Sequence, residues 1–172
     1  MMGQRSGPID REKYYVKRLD EGVRITMDLV APQMAEMKRG QPALYDHNVK
    51  MFTRVDARYF SLLGPRHTSA ADDPLDGFSI AYLEINNGED FPSHVHANRC
   101  AWFYIVHGAG SCVLDGETIP ISTGDTIFIK PGTDHMFIAD PGPLHYLVVV
   151  RPDLFTPDPD GSYDVVFPDG TR

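Results

Sequence analysis

The stretch FPSHVHANRCAWFYIVHG, residues 91–108, decides how this chain is read. Its second half is a run of β-branched and aromatic residues closed by Gly108, the composition of a strand entering a turn. Its first half carries His94 and His96. In extended backbone, residues i and i+2 point to the same face, so the two imidazoles project together and can chelate one ion. The same alternation puts Ala101, Phe103 and Ile105 on one face, and Trp102, Tyr104 and Val106 on the other. The first set is expected to line the interior of a fold, the second to pack against another sheet or subunit.

Working outward, VKMFTRVDARYFSLL, FSIAYLEI, GSCVL, DTIFI, HMFIA and HYLVVV have the same character. They are separated by turn material such as NNGED, HGAG, LDGE, STGD, KPGTD and DPGP. Short strands at regular intervals, with no helical patterning between them, predict an all-β barrel or sandwich and argue against a βαβ sheet. The barrel is expected over residues 50–152, with no internal repeat. Residues 1–49 form an N-terminal extension that is partly helical: Val23, Met27, Val30, Met34 and Met37 recur at spacings of four and three, with Pro32 interrupting or kinking the helix. That face reads as packing against the barrel or a second subunit, since methionine at helical spacing is ordinary core filling. Residues 153–172, rich in Pro and Asp, form a C-terminal tail with one edge strand at Tyr163 to Phe167.

Composition narrows the function classes. The chain has 172 residues, 42% of them hydrophobic, enough for one buried core. Sixteen Lys and Arg against 24 Asp and Glu give a formal charge of −8, which disfavours nucleic acid and anionic membrane surfaces as partners. No apolar run approaches the roughly 20 residues that span a bilayer, and the N-terminus has no apolar signal region. A cytoplasmic location is expected, and Cys100 and Cys112 are expected to stay reduced without forming a disulfide.

A third imidazole for the pair at His94 and His96 is offered by GDTIFIKPGTDH, residues 124–135. Gly124 and Asp125 make a turn, TIFI a strand, and Pro131 and Gly132 a second turn that re-aims the chain at His135. The two segments together resemble the paired motifs of the cupin superfamily, small jelly-roll β-barrels also described as double-stranded β-helices. The first family motif runs Gly, five residues, His, any residue, His, three or four residues, Glu, six residues, Gly. Gly88, His94, His96 and Gly108 match it. The second runs Gly, five residues, Pro, any residue, Gly, two residues, His, three residues, Asn. Gly124, Gly132 and His135 match, while Lys130 replaces the proline and Ala139 the asparagine.

One departure matters most. Counting back six residues from Gly108, the family's metal-binding glutamate falls on Ala101, which has no donor atom. The resemblance therefore transfers three metal ligands, His94, His96 and His135. Cys100 is a further candidate, because a shorter motif spacing would place a ligand there and a thiolate is a good donor, although the Gly108 register turns it away unless the strand carries a bulge. Three neutral histidines leave the charge of a divalent cation uncompensated and favour an anionic or chelating ligand. Imidazole suits Fe, Zn, Ni and Cu, with Mn also hosted by the fold, and Fe(II) is favoured by likeness to all-histidine dioxygenase sites in the superfamily.

The resemblance thus implies a metal-dependent enzyme, first an Fe(II)-type oxygenase acting on a small anionic or enolisable molecule. A non-redox cyclase, isomerase or lyase using Zn, Ni or Mn is the second reading, and a non-catalytic small-molecule binding or sensor protein the third. It also implies a homodimer. Pocket candidates beside Ala101, Phe103 and Ile105 are Arg99 and Lys130, as anchors for a substrate carboxylate, and His107 and His145. If alternation runs unbroken from Ala101, His107 shares the inward face; as part of the turn HGAG it is otherwise a surface histidine. His145 is either a cavity histidine or a strand-end residue.

Overall fold

The computed structural model describes residues 77–152 throughout, together with four earlier strands whose backbone alone is considered. Those are β1 (Ile9–Arg11), β2 (Tyr14–Val16), β3 (Val23–Arg24) and β4 (Arg58–Leu63). The rest are β5 (Ser79–Ile85), β6 (Asp90–Val95), β7 (Cys100–His107), β8 (Ala109–Leu114), β9 (Glu117–Ser122), β10 (Thr126–Ile129), β11 (Asp134–Ile138) and β12 (Leu144–Arg151). Every pairing is antiparallel. A six-stranded sheet has the order β10-β7-β12-β5-β4-β3, a four-stranded sheet the order β6-β11-β8-β9, and β1 and β2 form a separate hairpin. The all-β architecture is as the strand patterning predicts, and its double-stranded β-helix form is as the resemblance implies.

The alternation legible in the sequence places the core. Along β7, Ala101, Phe103 and Ile105 are buried while Trp102, Tyr104 and Val106 are exposed. Along β12, Leu144, Tyr146, Val148 and Val150 are buried, and Ala81, Leu83 and Ile85 do the same on β5. Phe137 and Cys112 bring the four-stranded sheet onto this layer. Phe103, Phe137 and Tyr146 meet there, with ring centroids 4.8 to 5.6 Å apart, edge-on or offset as aromatic quadrupoles favour.

Two glycines set the strand ends by different means. Gly108 lies at φ +89°, and a Cβ on it would sit 1.9 Å from the Pro143 carbonyl oxygen. Gly132, at φ +86°, has open space around it, so only its backbone conformation demands glycine. Its N–H donates to the His96 carbonyl at 2.8 Å, which fastens the β10–β11 loop to the end of β6.

The N-terminal stretch departs from its expected form where it is described. Val23–Arg24, the start of the expected helical stripe, is instead strand β3, paired with β4 through Val23↔Ser61 and Arg24↔Phe60. This part of the extension adds a strand to the large sheet; a two-residue strand carries too little periodicity to reveal itself beside a stripe spaced by four and three. Met27 to Met37 and the tail at 153–172 lie outside the described residues. Among the described residues there is no helix, and so none long and apolar enough to cross a membrane.

Candidate metal centre

His94 stands on β6, His96 one residue past its end, and His135 on β11. β6 and β11 are paired, with His135 directly opposite His94, so three side chains separated by 41 positions of sequence share one patch of the inner face. All three are buried, and each offers a ring nitrogen within 4.8 Å of the other two. Ring centroids are 5.0 Å apart for His94 and His96, 4.1 Å for His94 and His135, and 5.3 Å for His96 and His135. Among the described residues this is the one group of three or more metal-capable side chains.

Burial keeps the rings of His96 and His135 neutral. Burial lowers the pKa of His96 to about 4, and the Arg99 guanidinium beside it acts in the same direction. Burial likewise lowers His135 to about 4, with His96 adding to the effect, against opposing pulls from the Thr133 carbonyl and the Asp134 carboxylate. Unprotonated imidazole is the form that binds metal. His135 Nδ1 lies 3.2 Å from the Thr133 carbonyl oxygen. Donating a proton there fixes the tautomer and leaves Nε2 as the coordinating nitrogen, the outer-shell arrangement usual for metal-bound histidine. Nitrogen ligands about 2.1 Å from one ion lie up to about 4.2 Å apart, so rings whose nitrogens lie within 4.8 Å of one another need only a small inward adjustment to share a cation.

The other sequence-derived candidates divide. Ala101 is 1% exposed and faces the interior. Phe103 faces the interior too, its ring 5.9 Å from that of His135, and Ile105 follows it on the same face. Arg99 is only 2% exposed, and its charge acts on His96. Lys130, just past β10, is exposed. Cys100 is not a member of the group. Alternation turns it away from Ala101, and its Sγ donates to the Arg151 carbonyl oxygen at 3.4 Å. Strand β7 has no bulge at this end that would reverse it.

His107 and His145 form a separate pair on the opposite face of the large sheet. Tyr146↔Ile105 and His145↔His107 are partners, so Val106 is an extra residue in β7. That bulge breaks the alternation and brings the exposed His107 against His145, with ring centroids 5.2 Å apart. His145 takes the strand-end alternative and not the cavity one, its Nδ1 2.9 Å from the Tyr82 hydroxyl. Sequence reasoning missed Tyr82, and it missed the aromatic wall of the centre at Phe91, Phe137 and Tyr146. Phe91 packs edge-on against His94 at 5.4 Å. Strict alternation in HYLVVV would have found Tyr146, whereas nothing local marks Tyr82 as a histidine partner.

Residues 81–150 match the family model for the cupin domain. Among solved structures, the chain is similar to a predicted oxalate decarboxylase from Thermotoga maritima, at 23% identity over 55% of this chain and 78% of that one, with a TM-score of 0.48. It is similar to a polyketide cyclase from Streptomyces resistomycificus at 24% identity, covering 55% and 64% of the two chains with a TM-score of 0.46. Ectoine synthase from P. lautus gives 21% identity, 59% and 67% coverage and a TM-score of 0.47. No curated protein matches the chain.

Proposed function

Because this chain belongs to the cupin superfamily through its domain at residues 81–150, we propose that His94, His96 and His135 hold a divalent metal, Fe(II) in first place, in an oxygenase acting on a small anionic or enolisable molecule. The donor set carries this reading: three buried imidazoles, two of them held neutral by burial, with alanine at the position where the resemblance to the family would place a carboxylate ligand. Bound there, the ion supplies Lewis acidity and, as Fe(II), redox chemistry with O₂.

The chain's own residues supply the rest. Three neutral ligands leave a double positive charge, and the buried Arg99 adds a third in the neighbourhood of His96. A carboxylate or enolate is the ligand that compensates such a field, and Arg99 is the residue to orient it. The small Ala101 side chain leaves width beside the histidines for a substrate group. Phe91, Phe103 and Phe137 form an apolar wall that limits water on one side and strengthens every charge interaction within.

Metal analysis of the anaerobically purified protein, followed by O₂ uptake with a panel of small keto and hydroxy acids, tests the proposal. Fe(II)-dependent O₂ consumption that is lost in His94→Ala is expected. Turnover without O₂, supported equally by Zn(II), would replace the oxygenase reading with a Lewis-acid one.

We further propose a homodimer in the cytoplasm. Exposed Trp102, Tyr104 and Phe128, the last 60% exposed, give the outer face of the large sheet an apolar surface suited to a second copy. Cys100 and Cys112 are free thiols, as expected in a reducing compartment. A single sedimenting species of monomer mass over a range of concentrations would contradict the dimer.

A further inference from the structure

Strand β6 carries a β-bulge that decides which way the histidine pair points. Phe137 faces Phe91 and His135 faces His94, so two steps along β11 correspond to three along β6. Pro92 and Ser93 therefore stand opposite the single residue Met136, the two-against-one count of a bulge. Proline suits the place, because it has no N–H to offer a ladder. The consequence is a change of face. Phe91 packs against the core, and unbroken alternation from it would turn Ser93 and Val95 inward and His94 and His96 outward. The extra residue reverses this: Phe91 and the buried His94 share the inner face, with ring centroids 5.4 Å apart.

The bulge is held from the outer face. Ser93 Oγ donates to a carboxylate oxygen of Asp134, the residue before His135. The Asp134 backbone is fixed from its other side by Asp115, in the turn between β8 and β9. Its N–H donates to Asp115 Oδ1 at 2.9 Å, and its carbonyl accepts the Asp115 N–H at 2.9 Å. A charge-assisted bond thus joins the extra residue of β6 to a point on β11 that is itself anchored. The competing register of β6, slipped by one residue, takes the histidine pair off the inner face. In that register Ser93 faces inward, away from Asp134, so their bond is made only in the bulged one.

We propose that Ser93 and Asp134 are positioning residues of the three-histidine centre: their hydrogen bond holds the β6 bulge that brings His94 and His96 onto the face of His135. This rests on the reading of that centre as a metal site. Neither residue is a ligand; both act through where the imidazoles stand.

Co(II) titration of the full-length protein, followed by visible absorption, tests this on the native chain beside Ser93→Ala, Ser93→Thr and Asp134→Ala. Ser93→Ala is expected to weaken Co(II) binding about tenfold, the scale set by a hydrogen bond to a charged group, and to alter the ligand-field bands. Ser93→Thr, which keeps the hydroxyl, should restore both. Ser93→Ala combined with Asp134→Ala should bind no more weakly than Asp134→Ala alone, since the two side chains share one bond. In the metal-free protein, nuclear Overhauser contacts between the rings of His94 and His135 should be present in the native chain and lost in Ser93→Ala. Unaltered Co(II) affinity or retained ring contacts in Ser93→Ala, or a loss that Ser93→Thr does not restore, would overturn the positioning role alone. No Co(II) uptake by the native chain would overturn the metal reading, and the proposal with it.

Discussion

Gly132 donates its backbone N–H to the carbonyl of His96 at 2.8 Å, joining the loop that delivers His135 to the chain that delivers the other two histidines. Two motifs separated in sequence thereby become one rigid patch. The three rings depend on that junction as much as on their own strands.

Gly132 and Gly108 share a left-handed backbone but not a neighbourhood, and this separates the effects of replacing them. Gly132→Ala meets open space and should cost about 1–2 kcal/mol of stability from backbone strain alone, with weakened metal binding. Gly108→Ala also drives a Cβ into the Pro143 carbonyl and should fail to give a cooperatively folded protein. Urea denaturation of both variants checks the difference; equal loss in the two would show that the Pro143 approach is inconsequential.

The lowered pKa values of His96 and His135 make stability pH-dependent in the metal-free protein. Both groups titrate near 4 when folded and near 6.5 when unfolded, so between these values the unfolded chain binds more protons. Stability should therefore fall as pH drops from about 6.5 to about 4, and these two groups should cause no further loss below that. Melting of the metal-free protein across this window, beside the His96→Phe variant, is the measurement, and a smaller slope is expected in the variant.

Arg99 should govern anion binding and not metal binding. Arg99→Gln is expected to weaken carboxylate affinity of the metal-loaded protein by roughly 10- to 100-fold, the worth of a charged hydrogen bond of about 1.5–3 kcal/mol. Metal affinity should hold or rise slightly as a buried positive charge is removed. Calorimetric titration of the loaded variant with a simple carboxylate distinguishes this from a purely structural role, which would lower both.

Placing a carboxylate at position 101 tests what alanine there achieves. In the metal-free protein, Ala101→Glu should be destabilising by about 1–3 kcal/mol or more, since it buries an acid without a partner. With metal bound, it should tighten retention of the ion and reduce affinity for added anions. Unchanged anion affinity would mean that Ala101 does not border the ligand position.

The strands and the three histidines were legible because both obey short, local periods: alternation for the strands, and fixed spacing from Gly88, Gly108, Gly124 and Gly132 for the imidazoles. Alternation also turned Cys100 away from the centre, as its bond to the Arg151 carbonyl shows. Other features rest on relations between distant segments. The bulge at Val106 reflects the register of β7 against β12, so His107 could not be assigned a face from β7 alone. Burial of Arg99 depends on what covers the β6–β7 connection, and the pairing of Val23–Arg24 depends on β4. None of these leaves a periodic trace in its own stretch of sequence.

X-ray absorption at the metal edge, on protein loaded with one equivalent of Fe(II) and then given a small carboxylate, tests the central claim most directly. Three imidazole nitrogens with lighter donors completing the shell are predicted, with the light-atom shell changing when the carboxylate is added and the imidazole shell lost in the His135→Ala variant. A sulfur scatterer near about 2.3 Å, the distance of a thiolate ligand, or an unaltered spectrum in His135→Ala, would contradict a centre built from His94, His96 and His135.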